Sequence, residues 1–373
     1  MKRYTMIFFK TYSSNTYAGT LNQCFFMSDK TVQTGRVFYR ISVGGTFNYS
    51  LLFSNTVEST YPPVEGSYRN MKCDEWKLDV LRLAVCSKDD FDKFEKNGVM
   101  PNMNFTDVTF DGKLSKWVAP GETFSTDPIK LTFAKNDYLC VEISFTGTKL
   151  PHMCDLNIPG FLCENGKWIE SNRLPVPDMV GCDRKVSLKI GYFGDSITQG
   201  IGTAKNSYSH WNAKLSERLG TENAYWNIGI AAASANDAAS FGTWFDKAVQ
   251  NDIVVMCFGV NDIMGGGGYE QLVSDLESIV CRLHKNGCKV IIQTVPPFVY
   301  NESMAVVWRK VNDYIKNALL QKVEAVFDNV PYLQDEGENS HMNKYGDHPN
   351  AVGCSVWADA IYPCVKEVTE KFK

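Results

Sequence analysis

The spacing of apolar positions along the chain changes character near residue 186. Before it, short runs at 37–43, 47–53, 78–86 and 138–145 alternate apolar with polar residues or are rich in strand formers. Between them stand turn signals: Pro62-Pro63, Asp111-Gly112, Pro120-Gly121 and Asp127-Pro128. The run 37–43 ends at Gly44-Gly45 and a second extended run follows, which predicts a two-strand pair about a Gly-Gly turn. Short strands without intervening helical spacing predict an all-β sandwich or jelly roll over residues 1–147. Residues 148–185 carry Pro151, Pro159, Pro175 and Pro177 with Gly160, Gly166 and Gly181, and read as an irregular connector.

From residue 186 to 373 strands and helices alternate. Strands are expected at 186–193, 224–228, 253–258, 290–295 and 325–328. The run 253–258 is continuously apolar, as a central strand buried on both faces would be. Helices are expected at 208–219, 269–284, 304–320 and 352–372, the last with Pro363 as a possible kink. This alternation predicts an open parallel sheet covered on both faces.

Composition narrows the function classes. The net charge of -4 over 373 residues gives no support to nucleic-acid binding or to a polybasic membrane patch. No run approaches the ~18–20 apolar residues of a membrane-spanning helix. The opening segment turns charged again at Lys10, too soon for a secretory leader of ~7–15 apolar residues. The expectation is a cytoplasmic protein, or a secreted one whose leader has been removed. The 12 cysteines form no CxxC pair and there are only five histidines, so neither a zinc site nor any other metal or cofactor is expected. The cysteines read as small buried hydrophobes of a reducing compartment.

Ligands of such a sheet bind outside the carboxyl ends of its strands. Gly194-Asp195-Ser196-Ile197-Thr198 follows the first strand, and there Ser196 either faces a cleft or caps the next helix. The small-residue run 227–234 follows the second and lets backbone N–H groups approach a ligand, or lets strand and helix pack closely. Gly259-Val260-Asn261-Asp262 follows the third, where Asn261 either aims its amide at a developing oxyanion or makes a turn. The glycines at 265–268 lack the Lys-Ser/Thr of a phosphate loop and read as a mobile loop. Asp347-His348-Pro349-Asn350 precedes the last helix.

In order and spacing these blocks resemble the SGNH hydrolase superfamily, also called GDSL, from about residue 190 to the C-terminus. The resemblance implies a flavodoxin-like three-layer α/β/α fold and ester hydrolysis. It makes Ser196 the nucleophile and His348 its general base. The oxyanion hole would combine the Ser196 N–H, the Ala232 N–H and the Asn261 side chain. Two positions depart from the family pattern. Ala232 stands where a glycine is usual, and its N–H serves if φ stays negative. Tyr345 stands where the usual aspartate lies three residues before the histidine. Asp347 is then an alternative third member, or a backbone carbonyl orients His348 in a Ser-His dyad. His341 is a fallback base.

The motifs at 40–45, 52–55, 119–121 and 125–128 are similar to the β-domain ahead of the hydrolase domain in two-domain carbohydrate esterases. The expected substrate is a short acyl ester, acetyl foremost, on an oligosaccharide or small molecule. A short-chain lipid or aryl esterase, and a non-catalytic glycan-binding protein on a degenerate fold, remain open. Tyr208, Trp211 and Trp244 are either core or sugar-stacking aromatics.

Overall fold

A computed structural model describes residues 3–60, 69–334 and 347–373. Pro62-Pro63, His341 and Tyr345 lie outside them. The chain divides into two compact units, Met1–Glu58 with Pro62–Lys185, and Ser59–Tyr61 with Val186–Lys373.

The first unit is dominated by two antiparallel sheets. One joins Ser13–Ser14, Met179–Cys182, Gly45–Ser54, Thr123–Ser125 and Ile129–Phe133. The other joins Lys167–Glu170, Gly160–Glu164, Gln33–Arg40, Tyr138–Thr146, Trp76–Cys86, Thr106–Asp107 and Lys116–Val118. Strand Tyr138–Thr146 lies between Gln33–Arg40 and Trp76–Cys86. Val37, Tyr39, Leu83, Leu139 and Val141 point to one face there, with Phe38, Ala84 and Cys140 on the other, and all are buried. The second face is covered by a helix, Lys88–Asn97. Its N-cap Ser87 accepts from the Asp90 N–H, and Phe91 stacks on Tyr138 at 3.8 Å. A second helix, Arg3–Thr11, opens the unit. Residues 1–147 are therefore not purely strand and turn.

Two further expectations need correction. The runs either side of Gly44-Gly45 are not a hairpin, because Gln33–Arg40 and Gly45–Ser54 belong to different sheets. The segment between them is a corner held by Asn15. Its Nδ2 donates to the Val43 carbonyl at 3.0 Å, and its Oδ1 accepts from Val43 N at 3.1 Å and Ser42 Oγ at 3.0 Å. A Cβ on Gly44 would stand 2.6 Å from the Lys135 nitrogen, so glycine serves close passage here rather than a tight turn. Residues 148–185 are not an irregular connector. They supply Lys149–His152, Gly160–Glu164, Lys167–Glu170 and Met179–Cys182, all paired within the first unit. Their prolines sit beside strands or on one paired to a single neighbour, where the missing N–H costs no ladder bond.

The second unit is built on five parallel strands, β1 (Lys189–Gly194), β2 (Ala224–Asn227), β3 (Ile253–Cys257), β4 (Lys289–Gln293) and β5 (Ala325–Phe327). Their spatial order is β2-β1-β3-β4-β5, the flavodoxin-like order. Every residue of β3 is buried, as its apolar run requires. Helix Trp211–Leu219 packs on Ala351–Phe372, with Trp211 stacked on Trp357 at 5.0 Å. Helices Ala235–Ala239 and Glu302–Asn317 pack against Tyr269–Lys285. The last helix runs through Pro363 without a break. The carbonyl that proline leaves without a donor belongs to Asp359, an exposed residue that water can serve.

Candidate active site

The chain reverses sharply after β1. Asp195 caps the short helix Ser196–Gln199, its Oδ1 accepting from the Ile197 N–H at 3.0 Å. Ser196 is thus not the cap, and its hydroxyl is left for other work. The turn is tight against the sheet: a Cβ on Gly194 would fall 2.2 Å from Thr198 Oγ1 and 2.5 Å from the Cys257 carbonyl.

Ser196 Oγ lies 2.8 Å from His348 Nε2, although 152 residues separate them. His348 sits in the segment leading into helix Ala351–Phe372. Asn350 caps that helix by accepting from Val352 N at 3.0 Å and Gly353 N at 3.1 Å. Two residues invisible to motif reading support the imidazole. The Phe298 ring, from the loop after β4, meets it edge to face at 5.4 Å and 84°. Gly202, at φ +95°, comes so close that a Cβ would stand 2.7 Å from His348 Cβ. Asp347 is exposed, and among the described residues its carboxylate makes no hydrogen bond. The structure brings Ser196 and His348 together and leaves Asp347 apart.

The loops after β2 and β3 are tied to each other and to the Ser196 helix. Asn261 Nδ2 donates to the Ala233 carbonyl at 2.9 Å, which leaves its second amide hydrogen free of that bond. Asp262 accepts from the Ala235 and Asn236 N–H groups at 2.9 and 3.3 Å. Gln199 Oε1 accepts from the Ala231 N–H at 2.6 Å, and its carbonyl accepts from Asn227 Nδ2 at 3.2 Å. Gly229 allows the close approach, since a Cβ there would stand 2.3 Å from the Gln199 nitrogen. The glycines after Asn261 form hydrogen-bonded turns: Gly265, Gly266 and Gly267 donate back to the Asn261, Ile263 and Asp262 carbonyls.

Ala232 departs from expectation. Its φ is +57°, not negative, so this alanine occupies the left-handed region that a glycine would enter at no steric cost. The reason is local. Gln199 and Asn261 hold the residues on either side, Ala231 and Ala233, which fixes the bend at Ala232 in place. Among the described residues the N–H groups of Ser196 and Ala232 have no acceptor, so both remain available as donors.

Burial shapes the charges beneath these loops. It pushes the Asp195 carboxyl up to about 7, with Asp262 repelling the charged form further. Burial likewise raises Asp262 to about 6, against the pull of its two backbone donors. Tyr208, Trp211 and Trp244 are buried and do not offer faces to a sugar. Trp244 Nε1 donates to the Ile228 carbonyl at 2.8 Å, fixing the ring inside the unit. Among the described residues no group of three His, Cys, Asp or Glu side chains could hold a metal ion. Among them, too, no helix is long and apolar enough to cross a membrane.

Residues 192–355 match the model of the GDSL-like Lipase/Acylhydrolase family. Solved structures show likeness at low identity. The psychrotrophic esterase EstA from Pseudoalteromonas sp. is 13% identical, with TM-score 0.41, over 49% of this chain and 98% of its own. A carbohydrate acetylesterase from Sinorhizobium meliloti is 16% identical, with TM-score 0.40, over 50% of this chain and 100% of its own. A family two carbohydrate esterase from Cellvibrio japonicus is 12% identical, with TM-score 0.38, over 97% of this chain and 98% of its own. No curated protein matches the chain. The second half of the chain is a domain of the SGNH/GDSL superfamily. Within that superfamily, the family it matches is the GDSL-like lipases and acylhydrolases.

Proposed function

We propose that this chain is a serine esterase that removes short acyl groups through an acyl-enzyme on Ser196. The observation that carries the reading is the 2.8 Å hydrogen bond between Ser196 Oγ and His348 Nε2. The hydroxyl donates and Nε2 accepts, so the ring proton sits on Nδ1. His348 takes the serine proton as Oγ attacks the ester carbonyl, then returns it to the leaving alkoxide. Water repeats the cycle and frees the acid.

The negative charge that builds on the carbonyl oxygen is met by the Ser196 and Ala232 N–H groups and by the second amide hydrogen of Asn261. These donors are fixed before the substrate arrives, which is what makes them effective. Packing of Gly202 and Phe298 against His348 helps hold its ring in line with Ser196, and Asp347 is not assigned a part in the reaction.

The acyl group is small, acetyl foremost. The methyl of Ala232 stands where glycine would leave room, and Ala231, Ala233 and Gly229 crowd the same loop. The alcohol is a carbohydrate hydroxyl. That half of the reading rests on the likeness of the front-half motifs to the β-domain of two-domain carbohydrate esterases, and it takes the two sheets of the first unit as a jelly-roll-like sandwich.

The test is acid release from acetylated oligosaccharides and from p-nitrophenyl esters of graded chain length, with wild type and Ser196→Ala. Acetylated sugars should be cleaved fastest, and the variant should lose at least ~10⁴-fold. Rates that rise with chain length while sugars stay inert would point to a lipid or aryl esterase. Equal background rates for both proteins would point to glycan binding without catalysis.

A further inference from the structure

The first unit holds another histidine paired with a nucleophilic side chain. Strands Cys24–Met27 and Lys149–His152 run antiparallel, with Cys24 directly opposite His152. Cys24 Sγ is 3.1 Å from His152 Nε2. On the other side of the ring, Nδ1 is 3.1 Å from the Asn172 carbonyl oxygen. A carbonyl only accepts, so Nδ1 carries the proton and Nε2 presents its lone pair to the thiol. The Phe26 ring meets the imidazole edge to face at 5.1 Å and fixes its plane. Cys24 and His152 are both almost fully buried, at 1% and 2% exposure.

A second thiol completes the group. The side chain of Cys154, two residues beyond His152, touches that of Cys24. Cys154 is half-buried and is more exposed than Cys24. Its Sγ is 3.4 Å from Gln23 Oε1, and Gln23 is itself locked to Asp155 by bonds of 2.9 and 2.8 Å. Asn172 donates its side-chain amide to the Cys154 carbonyl, so one residue orients both the histidine and the second cysteine. The hydrogen bond to Cys24, with burial, pushes the Cys154 thiol far above the usual thiol range. His152 Nε2 lies against Cys24 Sγ, so Cys24 is the sulfur whose proton the imidazole is placed to take.

We propose that Cys24, His152 and Cys154 form a redox site that reduces a hydroperoxide and closes a Cys24–Cys154 disulfide. The Cys24 thiolate attacks the distal peroxide oxygen and the O–O bond breaks. Cys24 becomes a sulfenic acid, and the departing oxygen takes the proton held by His152, leaving as water when the oxidant is hydrogen peroxide. Cys154 Sγ then attacks Cys24 Sγ. The sulfenic oxygen leaves with the Cys154 proton as a second water. Two thiols are oxidised and one peroxide is reduced to two waters, which balances. External thiol reverses the step by exchange. The site is independent of Ser196 and needs no ester.

The test uses the reduced full chain and graded hydrogen peroxide, read by intact mass and by peptide mapping. The expected product is about 2 Da lighter and carries a Cys24–Cys154 link, formed before the exposed Cys281 gains oxygen. Cys154→Ser should stop the reaction at a Cys24 sulfenic acid that a dimedone-type probe labels. In the Cys154→Ser background, adding His152→Gln should slow that labelling by about tenfold. Oxidation of Cys281 first, a Cys24–Cys73 link, or a labelling rate left unchanged by adding His152→Gln to Cys154→Ser would each overturn the proposal. Mapping of the wild type alone decides the pairing even if a variant fails to fold.

Discussion

On the proposed mechanism Asn261 has two separable duties, and Asn261→Ala removes both. One amide hydrogen holds the Ala233 carbonyl at 2.9 Å, a neutral and partly buried bond worth about 1 kcal/mol to the fold. The other is assigned to the oxyanion, where loss of a fixed donor costs about 2.7–4 kcal/mol of transition-state stabilisation. That corresponds to a fall of about 10²–10³ in kcat. KM should move little, because the ground-state carbonyl carries far less charge than the oxyanion. The two losses appear in different measurements. Urea unfolding reads the first, and steady-state hydrolysis of p-nitrophenyl acetate reads the second. Asn261→Asp should lose rate as well and cost more stability, since its carboxylate would face the Ala233 carbonyl with no hydrogen to offer. A variant that is about 1 kcal/mol less stable but keeps kcat within about threefold would confine Asn261 to a structural role and sink the oxyanion assignment.

Three more outcomes follow from the same geometry. Asp195→Asn keeps the cap on Ile197 but removes a carboxyl that is raised to about 7 in the folded chain and titrates near 4 unfolded. Wild-type stability is fully retained below about pH 4 and falls as pH climbs towards 7, because only the unfolded state releases this proton over that window. The gap in favour of the variant should therefore widen across it and then level off, and parallel urea-unfolding curves against pH would refute the claim. Gly202→Ala should lower kcat at least tenfold with KM little changed, since its Cβ would stand 2.7 Å from His348 Cβ. An unshifted kcat in that variant would remove Gly202 from the positioning of His348. Asp347→Ala should change kcat/KM by less than about threefold, and a loss near 10⁴-fold would restore it as a triad member.

The second unit was largely legible because each of its strands is an apolar run bounded by helical spacing. The Ser196–His348 pairing was legible through blocks that topology alone places at one edge of a sheet. The first unit hid more. Helix Lys88–Asn97 offers only Phe91 and Phe94 to the core, too few positions for periodicity to reveal. The corner after Arg40 was misread because alternation reports burial along a strand and not which sheet the strand joins. The prolines of 148–185 resemble loop punctuation, and only pairing shows that strands lie between them. The left-handed Ala232 carries no sequence signal, since the Gln199 and Asn261 bonds that brace its neighbours form only when the loops meet in the fold. Phe298 and Gly202 carry no motif at all, and their closeness to His348 is a product of packing.

Ser59 and Thr60 group with the second unit although more than a hundred residues separate them from Val186. Thr60 Oγ1 donates to the Asp237 carboxylate, with its oxygens at 2.9 and 3.0 Å. A gene fragment beginning at residue 186 would discard that hydroxyl and leave Asp237 one partner short. Excision experiments on the hydrolase half would do better to graft the 59–60 dipeptide back, or to leave the polypeptide uncut.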